Sequence, residues 1–471
     1  MTRLVYTLAV VAAIAATAVL VEPPARTALS ADVQPAQQPT TLWSAPATLS
    51  ACPSAAGGRV VFPSDSPTHA TGSGAIVWSD SSTCPGGEGA RVAAIGAGDV
   101  PGAGVIPRTV AGRTLLPRAP LTASGAPFGQ ILIAGVSPTA SADGLAIQGL
   151  AGGPFSAVAA GAGSAAPTAL ATAYLGDVAL ASAPTGGTGA DGLRVHVERF
   201  FSHHFDRNAT VSASGRGLVQ ALTLALDFRS EALAVWAQGG EIYARVVPNN
   251  DGAPHPLRRL ARVGPHPRIS ALLSDDNRAI VAWTEQRGTQ TSVYIDRSAV
   301  GVRFGSPQLL ERFQDPDGLS SPAASPSLVR LSSESVMLAW AGSAADHWVV
   351  RAAPVDLDGV GTVSTISAPG VDALLADLAA GPAGDALLVW TEPLPTAAGP
   401  PDMERQALFA ARGFDAYPEG TMFDTPEEVA PPAPISEPTV ALDPNSDRAV
   451  AVWRGEASAI EYSIRGTEGD P

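Results

Sequence analysis

The chain contains no lysine: all 29 of its basic residues are arginine, in 471 residues. No Schiff-base lysine and no phosphate-loop lysine can therefore operate here. Positive charge is scarce overall, with a formal net charge of −15 and a pI near 4.9. Nucleic acid, which needs a dense cationic surface, is not an expected partner; the acidity suits an exported protein kept soluble by its own charge. Cysteine is nearly absent too, with only Cys52 and Cys84. In an exported chain two cysteines most simply pair. Two free thiols or a metal pair are the alternatives, and no His-rich motif sits nearby. The sequence has no H-E-x-x-H, no G-x-S-x-G and no C-x-x-C. Gly96 and Gly98 lack the third glycine of a dinucleotide loop. No cofactor or metal is expected.

Long apolar runs are equally rare. The single one is Leu4 to Val21, after Arg3 and before a small-x-small site, Ala28-Leu29-Ser30. It reads as an export signal, or as an N-terminal anchor at the lower limit for a membrane span. The expected organisation is 1–31 signal peptide or anchor, 32–41 Pro/Gln-rich linker, and 42–471 one domain. Secretion or attachment to the cell envelope follows. The abundance of Ala, Gly and Pro without lysine points to a GC-rich bacterial genome.

What the chain does have is a repeat. Apolar runs ending in tryptophan recur as Gly74 to Trp78, Glu231 to Trp236, Ala279 to Trp283, Ser335 to Trp340, Asp385 to Trp390 and Arg448 to Trp453. From Trp236 onward the steps are 47, 57, 50 and 63 residues. Gly176 to Ser182 and Gly129 to Gly135 fit the template without the Trp, giving eight copies, or seven if the Gly129 copy is discounted. Runs of five or six residues are strands rather than helices. A period of this size, rich in strands, marks a propeller or a β-solenoid. Apolar character at nearly every position means cover on both faces, which suits the inner strand of a propeller blade. The tryptophans are expected to be core.

Gly (48) and Pro (42) supply turns, as in Asn249 to Gly252, Asp315 to Gly318 and Asp356 to Gly359. Leu42 to Leu49 resembles Arg303 to Leu310, an outer strand of an internal blade. The last copy has only Ile460 to Ile464 after it. The N-terminal segment could therefore complete the last blade and close the ring. The expected fold is all-β: a propeller of about eight blades, closed by that strand. Residues 90–190 carry the weakest markers.

Candidate sites are few. His196 and Glu198 lie two apart in an alternating run, with His203, His204 and Asp206 shortly after; His and carboxylate together could bind a ligand. Adjacent histidines on a strand point to opposite faces, against a shared metal. Arg258, Arg259 and Arg262 form a basic patch that could hold an anionic glycan or carboxylate, or be an exposed connector. Asp275, Asp276, Asp377, Asp402 and Glu404 read as scattered loop acids that sequence alone does not pair.

The chain resembles secreted bacterial β-propeller repeat proteins, whose blades carry a Gly/Asp turn and an apolar strand ending in Trp. The resemblance spans about 42–465. A narrower likeness is to sialidase-type propellers: Asp443 to Trp453 echoes their Asp turn before a Trp, with different glycine placement and spacing. The arginine triad and Tyr/Glu pair of that family have no matching positions here. The resemblance implies an exported, non-enzymatic, monomeric binding scaffold whose partner is a protein or a glycan. A glycan-processing hydrolase and a purely structural surface protein are the alternatives.

Overall fold

The computed structural model describes residues 42–466 apart from internal stretches, the longest being 64–73, 107–117, 185–192, 199–206 and 316–324. The expected export segment and linker lie outside the described residues. The chain is all-β: every strand pairing among the described residues is antiparallel, and one short 3₁₀ turn, Glu456–Ser458, is the sole departure there. No helix among them is long and apolar enough to cross a membrane.

Each marker run lies in the second strand of a meander, one per repeat. Repeat one is Ser54–Val61, Gly74–Asp80 and Gly89–Ile95. Repeat four is Val219–Leu226, Ala232–Gln238, Glu241–Val247 and Arg258–Arg262. Repeat five is Arg268–Leu273, Ala279–Arg287 and Gln290–Ala299, followed by Arg303–Phe304 and Gln308–Gln314, which both pair with the third strand. Repeats six and seven follow the same plan, with Val336–Ala344 and Asp385–Leu394 as second strands. Repeats two and three share one long strand, Phe155–Thr172. Its first half pairs back to Asp143–Leu150 and its second half forward to Val178–Pro184.

The marker runs are second strands rather than the inner ones that the sequence suggests, and the packing gives the reason. In Ala232–Gln238, alternate residues enter two different interfaces. Ala232, Ala234 and Trp236 pack against Ala181 and Val195 of repeat three. Leu233, Val235 and Ala237 pack against Leu273 and Val281 of repeat five. A strand flanked by partners in its own sheet and by sheets on both faces is buried throughout. The first strand has one in-sheet neighbour and is half exposed, as in Val219–Leu226.

First strands also touch in sequence order. Val219–Leu226 packs against Arg268–Leu273, that against Ser327–Arg330, then Leu374–Ala380, then Ser436–Leu442. Ser436–Leu442 in turn packs against Ser54–Val61 of repeat one. There Gly57 and Gly58 leave room for Glu437 and Val452, whose atoms would collide with any side chain. The Gly57 N–H donates to Glu437 Oε2 at 2.6 Å.

Repeat eight takes its fourth strand from the N-terminal end. Ala47–Ser50 pairs with Ile460–Arg465, with Ala47 opposite Tyr462. Trp43 bridges to Arg465 and is buried against repeats seven and eight. Just beyond this strand, Cys52 is disulfide-bonded to Cys84, with Cα atoms 5.9 Å apart. The bond ties the link between repeats eight and one to the segment after Gly74–Asp80.

The six marker tryptophans are at most 2% exposed, so each buried indole N–H needs an acceptor. A polar residue two positions on supplies it for Trp78 (Asp80, 2.8 Å), Trp236 (Gln238, 3.3 Å) and Trp390 (Glu392, 2.8 Å). Where that position is Gly342 or Gly455, a glutamate from another strand fills the space. Glu311 reaches Trp340 at 2.7 Å and Glu461 reaches Trp453 at 2.8 Å. Trp283 has neither, because Glu285 turns to Arg287 at 2.5 Å.

Candidate functional site

The site grows out of a break in the fourth strand of repeat five. Phe304 pairs with Ser298, and Gln308 pairs with Ile295. Between them Gly305-Ser306-Pro307 leaves the ladder opposite Asp296 and Arg297. Proline has no N–H to give a ladder, which favours the excursion. The same break, in the same register, occurs twice more. In repeat seven Phe423 faces Gly413 and Glu427 faces Ala410, with Pro426 between. In repeat eight Trp43 faces Arg465 and Ala47 faces Tyr462, with Pro46 between. The first excursion residue returns its N–H to the third strand: Asp424 to Arg412 O and Ser44 to Ile464 O, both at 2.8 Å. Repeat four does likewise through His255 and Val246 O at 2.9 Å.

In repeats four and eight one third-strand side chain supports the excursion, whereas in repeat seven that position is Ala411. In repeat eight Ser463 Oγ donates to Ser44 O at 2.7 Å. In repeat four Arg245 Nε donates to His255 O at 2.7 Å. In repeat five the residue is Asp296, and its carboxylate accepts the main-chain N–H groups of Arg297 and Gly305. Asp296 is 3% exposed, and its Oδ2 accepts from no group among the described residues. Burial pushes its pKa up to about 6, against the lowering effect of those two N–H groups and the Arg297 charge.

Beside it is a cavity of about 450 Å³, with a polar wall drawn from Arg278, Asp296, Arg297, Ser298, Ser306 and Gln308. Arg278 ends the Ser274–Arg278 turn and pairs with Asp276 at 2.8 Å. Among the described residues Arg297 meets only neutral acceptors: Asp356 O of repeat six at 3.5 Å and Gln308 Oε1 at 3.3 Å. Ser298 Oγ accepts the Ala279 N–H at 2.7 Å, which leaves its own proton to donate. The wall thus offers the side-chain donors of Arg297, Ser306 and Gln308, while Asp296 Oδ2 itself is closed to solvent.

The sequence-derived candidates fall elsewhere. His196 and Glu198 are in the strand Arg194–Glu198, where His196 faces Leu180 and Asn208 and Glu198 faces Val178. Val195 and Val197, which alternate with them, are buried. His203, His204 and Asp206 lie outside the described residues. Arg258, Arg259 and Arg262 sit on the fourth strand of repeat four rather than in a connector. Arg259 and Arg262 share Glu241, at 3.0 and 3.8 Å. Pairs this exposed contribute about 0–1 kcal/mol.

The scattered acids separate by role. Asp377, Asp402 and Glu404 are strand residues, not loop ones. Asp377 lies in the first strand of repeat seven. It accepts Val440 N–H at 3.0 Å, tying repeat seven to repeat eight, and burial raises its pKa. Asp275 pairs with Arg330 at 3.0 Å, and Asp402 accepts the Glu404 N–H at 3.0 Å. Sequence reading missed Asp296 and also Asp227. Burial lifts the Asp227 pKa to about 6, helped by the Glu231 and Asp275 charges. Asp227 is 1% exposed and holds its own turn through the Arg229 and Glu231 N–H groups, at 3.0 and 2.7 Å. The signal that could have found Asp296 is the aromatic-x-x-Pro spacing shared by 43–46, 304–307 and 423–426, with an acid in the facing strand.

No protein-family profile matches the chain, and no curated protein matches it. Solved structures similar to it include an ulvan lyase, a polysaccharide lyase, at 10% identity and TM-score 0.44, covering 71% of this chain and 89% of that one. A lectin of Aleuria aurantia is 14% identical with TM-score 0.37, over 67% of this chain and 97% of that one. An α-L-arabinanase of Penicillium chrysogenum is 8% identical with TM-score 0.33, over 54% and 94%. Likenesses this distant carry no argument, so the architecture rests on the strand pairing and the site on its own residues.

Proposed function

We propose that the chain is an exported, non-enzymatic binding scaffold: a closed propeller of eight blades, one per repeat, that seats a ligand in the repeat-five pocket. Eight is favoured over seven because the Gly129 copy lies in a strand of its own, Gln130–Val136, at the second position of its repeat. Closure is supported by Ala47–Ser50 completing the last sheet and by the contact of Ser436–Leu442 with Ser54–Val61. The domain is 42–471, preceded by the export segment and linker. The disulfide fits an oxidising location at the envelope or beyond.

The observation that carries the binding reading is the repeat-five cavity of about 450 Å³, walled by Arg278, Arg297, Ser306 and Gln308, with Arg297 meeting only neutral acceptors among the described residues. The alternative, a glycan-processing hydrolase, would use Asp227 as its proton-holding acid beside Glu231. The turn bonds and burial of Asp227 favour a structural role. Incubating the purified exported chain with a panel of bacterial and host polysaccharides tests both, scoring retention and released sugar together. Retention without release is expected; sugar release abolished by Asp227→Asn would replace the binding reading with the hydrolase.

A further inference from the structure

We infer that the repeat-five pocket takes a small carboxylic acid, its carboxylate held by Arg297 and Arg278 with Ser306 and Gln308 as further donors. The inference rests on this pocket being the binding seat and goes further by naming the ligand class. A comparison with repeat seven selects the class. Arg297 lies opposite Ile280, three residues before Trp283. Arg412 holds the same place in repeat seven, opposite Leu387 and three residues before Trp390. The turns ahead of the two second strands also match. The Ser274 N–H returns to Arg278 O and the Gly381 N–H to Asp385 O, both at 2.8 Å. Arg278 and Asp385 are therefore equivalent positions.

In repeat seven these two positions neutralise each other. Arg412 Nε donates to Asp385 Oδ2, an ion pair whose acid is fully buried. In repeat five the acid is replaced by Arg278, so two arginines line one cavity. Among the described residues no carboxylate forms an ion pair with Arg297, whose acceptors are a carbonyl and an amide. Asp296, its chain neighbour, directs its carboxylate to the main-chain N–H groups of Arg297 and Gly305. Arg278 has Asp276, whose side chain is 47% exposed, and a pair that open to water is weak and easily exchanged. Repeats four, six and eight have Val246, Pro354 and Ile464 at the Arg297 place. An arginine there without its acid is thus particular to repeat five.

A carboxylate fits the guanidinium fork and would bring to repeat five the charge that Asp385 brings to repeat seven. A volume of about 450 Å³ lies within the usual small-molecule range of about 300–1,000 Å³. An ammonium ligand would meet two like charges. An apolar one would take water from Arg297 without replacing its hydrogen bonds.

The test is calorimetric titration of the full chain near neutral pH with D-glucuronate, D-galacturonate, succinate and L-lactate, and with D-glucose and inorganic phosphate as counterparts. At least one carboxylic acid is expected to bind, and the acidic sugars against the two simple acids decide whether a sugar ring adds to the hold. Arg297→Gln is expected to weaken that acid at least about tenfold, the usual scale for a hydrogen bond to a charged group. Arg278→Asp rebuilds the repeat-seven pair inside repeat five. It is expected to abolish binding while the thermal transition stays cooperative. Arg268→Gln, exposed on the first strand of the same repeat, is expected to leave binding unchanged.

If D-glucose or phosphate binds more tightly than every acid and Arg297→Gln abolishes it, the seat stands and the ligand class falls. If acids bind equally to wild type, Arg297→Gln and Arg278→Asp, the seat itself is wrong. If no acid gives an Arg297-dependent signal, or Arg268→Gln weakens binding as much as Arg297→Gln does, the inference is likewise overturned.

Discussion

Repeats five and eight break their fourth strands at the same register, two residues of third strand spanned by an aromatic-x-x-Pro excursion. They differ in where the strand comes from and in what holds the break. In repeat five the chain simply continues, and Asp296 takes two main-chain N–H groups while keeping an oxygen over. In repeat eight the strand arrives from more than 400 residues away in sequence, and two serines close the bonds: Ser463 Oγ to Ser44 O, and the Ile464 N–H to Ser44 Oγ at 3.0 Å. One break is satisfied internally and serves stability. The other leaves Asp296 Oδ2 without a donor among the described residues.

The largest effect should appear where the strand is remote. Trp43 is 6% exposed and packs beside Val440 and Trp453. Trp43→Ala is expected to cost about 3–5 kcal/mol. Phe304→Ala, at the same place in repeat five but only half-buried, should cost about 1–2 kcal/mol. Denaturant midpoints at constant slope read both. Equal losses would mean that the remote strand anchors nothing special.

Next comes the disulfide that secures that remote strand. Replacing Cys52 and Cys84 together with serine should cost about 3–4 kcal/mol on the chain-entropy account. Hydrogen exchange at Ala47–Ser50 and Ile460–Arg465 should accelerate more than exchange in Gln290–Ala299. Uniform acceleration over all repeats would show that the bond acts on the whole chain rather than on the junction.

Much of this was legible in the sequence because it depends on periodicity and size. Tryptophan-ended runs mark buried strands, and the likeness of 42–49 to 303–310 marks a shared strand type, since both patterns reflect local chain geometry. The placement of those runs second rather than innermost was not legible. An apolar run records cover on both faces but not order within a sheet. Repeats two and three were blurred for another reason. Phe155–Thr172 serves both, so one continuous strand joins them in place of a turn. The candidate site was hidden because Asp296 sits inside a strand-like run, with nothing nearby in sequence to single it out. Its partners, Arg278 and Gly305 to Gln308, are brought together only by the hairpin and the strand break.

The two repeats also differ at the tryptophan. Trp453 donates to Glu461 at 2.8 Å, while Trp283 has no acceptor because Glu285 is held by Arg287. Glu461→Ala should strand a buried indole N–H and cost about 1–3 kcal/mol. Glu285→Ala removes a carboxylate that Trp283 does not use, paired with an arginine side chain that is 72% exposed. It should stay within about 0.5 kcal/mol. A cost at Glu285 matching that at Glu461 would show that Trp283 does draw on it.

The finest distinction between the two breaks is in pH, because one holding group titrates and the other does not. In the folded chain Asp296 has a pKa of about 6, above its ordinary value of 3.8. Below about pH 4 it is protonated in both folded and unfolded states. As pH rises from there, the unfolded chain releases the proton first, so the folded state loses stability relative to the unfolded one until Asp296 itself ionises. The loss is complete once pH passes through the folded pKa. Asp296→Asn has no such loss. Its stability relative to wild type should therefore rise between about pH 4 and pH 6–7 and level off above. Asp227 shares the shift but is common to both proteins and cancels in the difference. Ser463→Ala, without a titrating group at its break, should cost about 1 kcal/mol at every pH. A flat Asp296→Asn difference would mean that the carboxylate is ionised throughout, its burial offset by the N–H groups and the arginine charge around it.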